Sequence, residues 1–432
     1  MQGTIGIRKE EKDRRVALTP KQIQQLQEQG VSTIVESSSK RAFVGDDYAQ
    51  VGATVGTDLS SCNIIFGVKE VPIECLLPGK TYCFFSHTIK GQSHNMPLLQ
   101  QILTGKNSLF DYERVVNDKG FRLIAFGKFA GFAGMIDSLW AYGQRLHREN
   151  VSNPLAKVKQ ANEYDSLEAA KNAIREVGQE ISQNGLPAEI TPLVCGFTGS
   201  GRVSQGAREI YDLLPIVEIT PEELLSSSFL NENSNKVVYK VHFADDKIVV
   251  PKEKDKACDF NEYLESPEKY ESCFAQYAAH LSILINGIYW EPRYPRLLTI
   301  DNLKDLYSQE NPRLKVIGDI TCDIGGSVEF TVKATKTVNP VFVYDPFVQK
   351  DVDGFEGKGV VVLAVDNLPG EIPKESSATF GEGLLPFVAQ LAKADYSVPF
   401  SDLDIPEPFK RAMIVHNGQL TEEYTYLQRY LS

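Results

Sequence analysis

The chain has 432 residues, enough for two or three domains at roughly 150 residues each. Its 42% apolar content supports a buried core, and its formal net charge of −12 argues against a nucleic-acid partner, which needs clustered Lys and Arg. The opening MQGTIGIRKEEKDRR is too charged for a secretory signal, and no apolar stretch approaches the ~18 residues of a membrane span. Seven scattered cysteines form no C-x-x-C pair, and four of them (62, 83, 195 and 322) lie in or beside apolar runs. They read as reduced thiols of a cytoplasmic protein, with an organellar matrix also open.

Residues 1–135 alternate short strands and helices. Strands are expected at 3–7, 32–36, 63–68, 81–85 and 108–111. Helices are expected at 19–30, where Thr19 and Pro20 start the helix and Gly30 ends it, and at 46–52 and 95–104. This is the sequence form of a parallel, doubly wound sheet. Ligands of such sheets sit beyond the carboxyl ends of the strands. Three strand ends carry ionisable residues: Lys69 with Glu70, His87, and Glu113. Solvated turns explain one such residue; three in succession point to a site.

Residues 131–144 form a long helix, 148–166 a polar loop, and 166–181 an amphipathic helix. An apolar strand at 193–195 then meets Gly196, Gly199, Gly201 and Gly206, with a helical pattern over 207–214. Strand, glycine turn and helix is the setting of a dinucleotide-binding loop, in which backbone approaches a pyrophosphate at a helix N-terminus. The fit to G-x-G-x-x-G is imperfect: Ser204 holds the third place. An unliganded surface turn could use the same glycines. A second strand at 215–219 brings Glu218 about where a ribose 2′-hydroxyl meets an acid, roughly 20 residues on.

Charge-rich residues 244–275 look like a surface insertion. Strands follow at 281–288, 314–320 and 359–365, then a long helix at 374–393 and a short tyrosine-rich one at 422–431. The expected fold is α/β: two Rossmann-like doubly wound domains with a cleft between them, the second inserted into the first. Residues 1–137 with 366–432 form the substrate domain, and 138–365 the nucleotide domain.

Arg15 stands before the first helix, where its fork could hold a carboxylate, although Arg14 beside it could serve too. Lys69 at a strand end could act as a base if partly desolvated near another cation, while Glu70 would oppose that shift. Of six histidines, His87 alone ends an apolar strand, and histidine exchanges protons near neutral pH. The other five read as surface or packing residues. Nothing has metal-ligand spacing, and no G-x-S-x-G elbow suggests a covalent nucleophile.

These stretches also carry a resemblance. DRRVALTP, FGVKE, FFSHTIK, FDYE, RLIAFGKFAGFAG, FTGSGRVSQGA, INGIYWE, GDITCDIGGSVEF and VDNLP occur in this order. Together they resemble lysine–ketoglutarate reductases, the lysine-forming saccharopine dehydrogenases, within the alanine dehydrogenase and transhydrogenase superfamily. The resemblance is to the lysine-forming half of the bifunctional enzyme; no glutamate-forming half is expected within these residues. It implies reversible reductive condensation of L-lysine with 2-oxoglutarate to saccharopine, with NADP(H) or NAD(H) as cofactor. By position it implies Lys69 and His87 as the acid–base pair and Arg15 and Arg122 as carboxylate ligands. Glu70 and Glu113 would moderate the site's charge. Gly199, Gly201, Arg202, Val203, Glu218 and Asp319 would line the cofactor, with no metal. Glu218 favours NAD(H); Arg202 could instead hold a 2′-phosphate or touch the pyrophosphate, and the bifunctional relatives use NADP(H). Alternatives are an alanine dehydrogenase-like enzyme, or a nucleotide-binding regulator without turnover. Oligomeric state stays open.

Overall fold

The computed structural model describes residues 3–231 and 233–431. The chain forms two compact units, Met1–Phe126 with Pro373–Ser432, and Gly127–Ile372.

The first unit is built on strands β1 (Thr4–Ile7), β2 (Ser32–Glu36), β3 (Thr54–Gly56), β4 (Ile64–Phe66), β5 (Thr81–Phe84) and β6 (Ser108–Asp111). All six run parallel, in the spatial order β6-β5-β4-β1-β2-β3. The chain therefore winds outward from β1 in one direction and from β4 in the other. The β1/β4 boundary is the switch point, where strand-end loops diverge and leave a crevice. Every residue of β4 and β5 is buried, as their unbroken apolar runs require of a sheet covered on both faces. Helix α1 (Pro20–Glu28) starts where Thr19 N–H donates to Gln22 Oε1 at 2.8 Å, and it turns Ile23 and Leu26 into the core.

The returning helix Pro373–Lys393 adds Phe380, Leu384, Val388 and Leu391 to that same core. Strand Met413–His416, which the sequence pattern does not reveal, then pairs antiparallel with β6. The expected tyrosine-rich helix at the tail is a run of 3-10 turns, Glu422–Tyr430, which buries Tyr424 and Leu427.

The second unit has strands β7 (Val194–Thr198), β8 (Ile216–Glu218), β9 (Val238–Phe243), β10 (Val249–Pro251), β11 (Tyr270–Ser272), β12 (Ile283–Asn286), β13 (Val316–Asp319), β14 (Val341–Asp345), β15 (Lys350–Asp353) and β16 (Val360–Leu363). Its main sheet has the order β15-β14-β16-β13-β12-β7-β9-β8, all running the same way except β14, which pairs antiparallel with both β16 and β15. Strand β9 is not among those expected from the sequence. β9, not β8, lies beside β7, because β9 enters between the strand that carries the glycine turn and the strand that follows it in sequence.

The region 244–275 also differs from a surface elaboration. It contains the antiparallel pair β10/β11, and Tyr263, Tyr270 and Phe274 pack with Val241, Phe243 and Leu284 of the main sheet. Among the described residues, no helix is long and apolar enough to cross a membrane.

Candidate functional site

Within the first unit, the carboxyl ends of β1, β4, β5 and β6 collect most of the sequence-predicted residues. Lys69 and Glu70 follow β4, His87 follows β5, and Glu113 follows β6; these strands are adjacent, ~4.8 Å apart. His87 Nε2 lies 3.5 Å from Glu70 Oε1, with both side chains partly exposed. His87 has φ of +53°, a left-handed conformation costly for most side chains and one in which histidine is over-represented. The turn is held from both sides. Asn95 Nδ2 donates to the His87 carbonyl at 2.9 Å, and the His87 ring stacks on Phe85, centroids 6.2 Å apart. Phe85 in turn packs on Tyr112, Phe126 and Phe380.

Two buried carboxyls fix these turns. Glu10 accepts from the backbone N–H groups of Val68 (2.7 Å) and Lys69 (3.2 Å), and sits 3.4 Å from Arg8. Burial pushes its carboxyl above the usual value, against the pull of Arg8 and the two amides. Asp111 accepts from Ser86 N–H (3.0 Å), Ser86 hydroxyl (2.5 Å) and Glu113 N–H (2.8 Å); burial raises it too. Glu10 and Asp111 thereby set the backbone from which Lys69, His87 and Glu113 project. Neither stands out in the sequence. Glu10 sits in the charged run RKEEKDRR, which reads as solvent-facing, and nothing in the spacing marks it as buried.

Arg15 is buried, paired with Asp13 through Nε (3.1 Å) and Nη2 (2.5 Å), and its guanidinium covers the Phe126 ring at 4.2 Å. Arg122 is exposed and pairs with Glu113 at 3.1 Å. The first unit thus brings Lys69, Glu70, His87, Glu113 and Arg122 to one edge of its sheet, with Arg15 on the segment that leaves β1.

In the second unit, the glycine turn joins β7 to helix α2 (Arg202–Tyr211), for which Gly201 is the N-cap. Gly199 has φ of +79°, and a Cβ there would lie 2.7 Å from the Gly287 carbonyl, so only glycine fits. At Gly201 a Cβ would meet nothing within 4 Å, so the turn is open on the side from which a ligand would reach the first N–H groups of α2, those of Arg202 and Val203. This cradle fits a dinucleotide pyrophosphate. Ser204 in the third motif place is buried. Gly206 has another duty: its Cβ would sit 2.2 Å from the Lys128 carbonyl, and a Cβ on Gly131 would sit 2.0 Å from the Val203 carbonyl. These two glycines let α2 lie against the long helix Gly127–Arg148.

Asp319, at the end of β13, is fully occupied. It accepts from Asn286 Nδ2 (2.9 Å), Thr321 Oγ1 (2.7 Å) and Thr331 Oγ1 (2.5 Å). Burial raises its carboxyl while the three donors lower it. Asn286 also donates to Ser327 and accepts from Thr198 at the end of β7. Asp319 therefore ties together the ends of three strands.

Glu218 does not join this group. It is in register with Lys240, which is in register with Cys195, whereas the carboxyl end of β7, Thr198, is level with Phe243. Three residues of strand put Glu218 ~10 Å short of that edge, and one strand further out than the neighbour of β7. Lys240 Nζ holds it at 2.9 Å and holds Asp212 at 2.8 Å. The side chain that does meet the glycine turn is His242 of β9, whose Nε2 donates to the Gly199 carbonyl at 3.0 Å. From sequence alone, His242 reads as a packing residue.

The sequence matches the alanine dehydrogenase/PNT N-terminal domain over residues 6–133 and the alanine dehydrogenase/PNT C-terminal domain over residues 239–423. It is 41% identical to an alpha-aminoadipic semialdehyde synthase of Arabidopsis thaliana over 99% of this chain and 41% of that protein. The chain thus spans less than half the length of this relative. It is 28% identical to a saccharopine dehydrogenase [NAD(+), L-lysine-forming] of Yarrowia lipolytica, over 89% of this chain and 90% of that one. Among solved structures, an L-alanine dehydrogenase superposes with a TM-score of 0.64 over 99% of this chain and 100% of that one, at 19% identity, a likeness of fold. The two domain matches together take in well over half the residues, and the chain belongs to the alanine dehydrogenase/PNT family.

Proposed function

We propose that this chain reductively condenses L-lysine with 2-oxoglutarate to give saccharopine, reversibly, using a reduced nicotinamide cofactor. The observation that carries this reading is the convergence of Lys69, Glu70 and His87 at the carboxyl ends of neighbouring parallel strands, with His87 3.5 Å from Glu70. The names of the Arabidopsis and Yarrowia relatives supply the reaction class.

The chemistry needs what these residues offer. The ε-ammonium of lysine must lose a proton before it attacks the ketone carbon. The resulting carbinolamine must lose water, which requires a proton on its hydroxyl. His87 and Lys69 serve as the groups that take and return these protons. Glu70 and Glu113 offset the cationic charge around them. Arg15 and Arg122 hold substrate carboxylates, and a planar guanidinium suits this because two parallel N–H bonds fix orientation as well as charge. The unit Met1–Phe126 with Pro373–Ser432 carries this substrate chemistry.

The unit Gly127–Ile372 holds the nucleotide at Gly199, Gly201, Arg202 and Val203, with Asp319 ordering the strand ends around it. Bound there, the cofactor supplies the hydride that reduces the imine.

The test is a spectrophotometric assay with purified protein, lysine, 2-oxoglutarate and each reduced nicotinamide in turn. Oxidation that requires both substrates supports the reading. Oxidation with pyruvate and ammonium in their place would make the chain an alanine dehydrogenase-like enzyme. Nucleotide binding without turnover on either pair would leave a regulator.

A further inference from the structure

In a doubly wound sheet the adenosine ribose lies beyond the carboxyl end of the strand beside the glycine-turn strand. A carboxylate there takes the 2′-hydroxyl and repels a 2′-phosphate. The rule concerns neighbours in space. Here the neighbour of β7 is β9, and the two end level, Thr198 beside Phe243. The chain then continues through Ala244 into a single 3-10 turn, Asp245–Lys247.

Asp245 opens that turn, two residues past the strand end. It is half-buried, and its carboxylate has no hydrogen-bond partner among the described residues. It lies in the electrostatic reach of His242, the residue bonded to the Gly199 carbonyl, and of Tyr263. Lys247, the next cation along the turn, is committed to Glu222 at 3.0 Å. Asp246 follows in the exposed position and adds a second negative charge. The end of β9 thus offers an acceptor lacking a donor, and two acidic residues where a 2′-phosphate would need a cation.

We infer that Asp245 is the residue that selects the nucleotide, taking the adenosine ribose 2′-hydroxyl and making the chain specific for NAD(H) over NADP(H). This rests on the dinucleotide reading of the glycine turn.

The test is binding of NADH and NADPH, each titrated by fluorescence, to the wild-type chain and to Asp245→Ser, Asp245→Asn and Glu218→Ala. The wild type should bind NADH more tightly by about ten-fold or more, the range expected of hydrogen bonds to a charged group. Asp245→Ser should collapse that ratio by about ten-fold, and the isosteric Asp245→Asn should raise NADPH affinity. Glu218→Ala should leave the ratio within about two-fold, because Glu218 stops short of the strand edge and its carboxylate is held by Lys240. The ratio is informative because a purely structural role for Asp245 would weaken both nucleotides alike. A wild-type preference for NADPH, or an unchanged ratio in both Asp245 variants, overturns the assignment while leaving dinucleotide binding intact. Failure of the folded wild type to bind either nucleotide overturns the dinucleotide reading and this assignment with it.

Discussion

His87 Nε2 faces Glu70 Oε1 at 3.5 Å across the carboxyl ends of two adjacent parallel strands. An imidazole ring and a carboxylate are held there by turns whose backbone N–H groups donate to Asp111 and Glu10. If His87 and Lys69 carry the proton transfers, His87→Gln and Lys69→Met should each lower kcat by about 10²–10⁴-fold, the usual contribution of a positioned acid or base. Affinity for the reduced nicotinamide should stay within a few-fold. Steady-state kinetics with parallel nucleotide titrations check both. Turnover unchanged in both variants would remove these residues from the chemistry.

Glu10 acts through backbone rather than substrate. Glu10→Ala should strand the buried N–H of Val68 and weaken the hold on Lys69, costing about 1–3 kcal/mol, the range for unsatisfied buried groups. It should also raise KM and lower kcat together, whereas Glu10→Gln, which keeps one acceptor, should recover part of both. Urea unfolding and initial rates on the two variants separate the effects.

Asp137 and Glu371, both in the second unit, are buried carboxyl groups, and Asp137 Oδ2 and both Glu371 oxygens have no hydrogen-bond partner among the described residues. Burial and, for Asp137, the neighbouring Glu371 raise both. A carboxyl raised on folding binds its proton more tightly in the native state. Its contribution is therefore present in full below the unfolded value, near ~4, and is lost as pH rises through the folded value. Glu371→Gln supplies a donor without a titrating proton. The variant should gain on the wild type as pH rises from 5 to 8, by about 1–3 kcal/mol. Urea unfolding at the two pH values reads this. A difference that stays flat or shrinks with pH contradicts it.

Gly206 and Gly131 permit the contact between α2 and the long helix that opens the second unit. Gly206→Val would drive a side chain into the Lys128 carbonyl, since even a lone Cβ at that position would lie 2.2 Å from its oxygen. The expected cost is about 1–3 kcal/mol or more, as for other overpacked cores, read by denaturant unfolding. Because α2 carries the glycine turn, nucleotide affinity should fall as well. Gly201→Ala, at the open position, should lose affinity without comparable loss of stability.

The alternation of short apolar strands with helices is enough to read two doubly wound sheets from sequence, because buried parallel strands are continuous apolar runs and their helices carry clear starts and stops. The placement of Lys69, His87 and Glu113 just past strands is legible for the same reason: each follows closely on an apolar run. What spacing does not convey is order in space. Glu218 falls at the expected distance along the chain, but β9 intervenes between β7 and β8, so Glu218 lies one strand further out than the neighbour of β7. Nor does local pattern show that Glu10 and Asp111 are buried. A carboxyl in a charged run looks solvated until the backbone amides it accepts from, 58 and 59 residues away for Glu10, are folded onto it.

Product identity reports most directly on the chemistry assigned to His87 and Lys69. Wild-type protein incubated with lysine, 2-oxoglutarate and NADH, then analysed by mass spectrometry, should yield saccharopine in amounts matching the NADH consumed, and His87→Gln should yield far less in the same time. NADH consumption without saccharopine, or saccharopine formed equally well by His87→Gln and Lys69→Met, would contradict it.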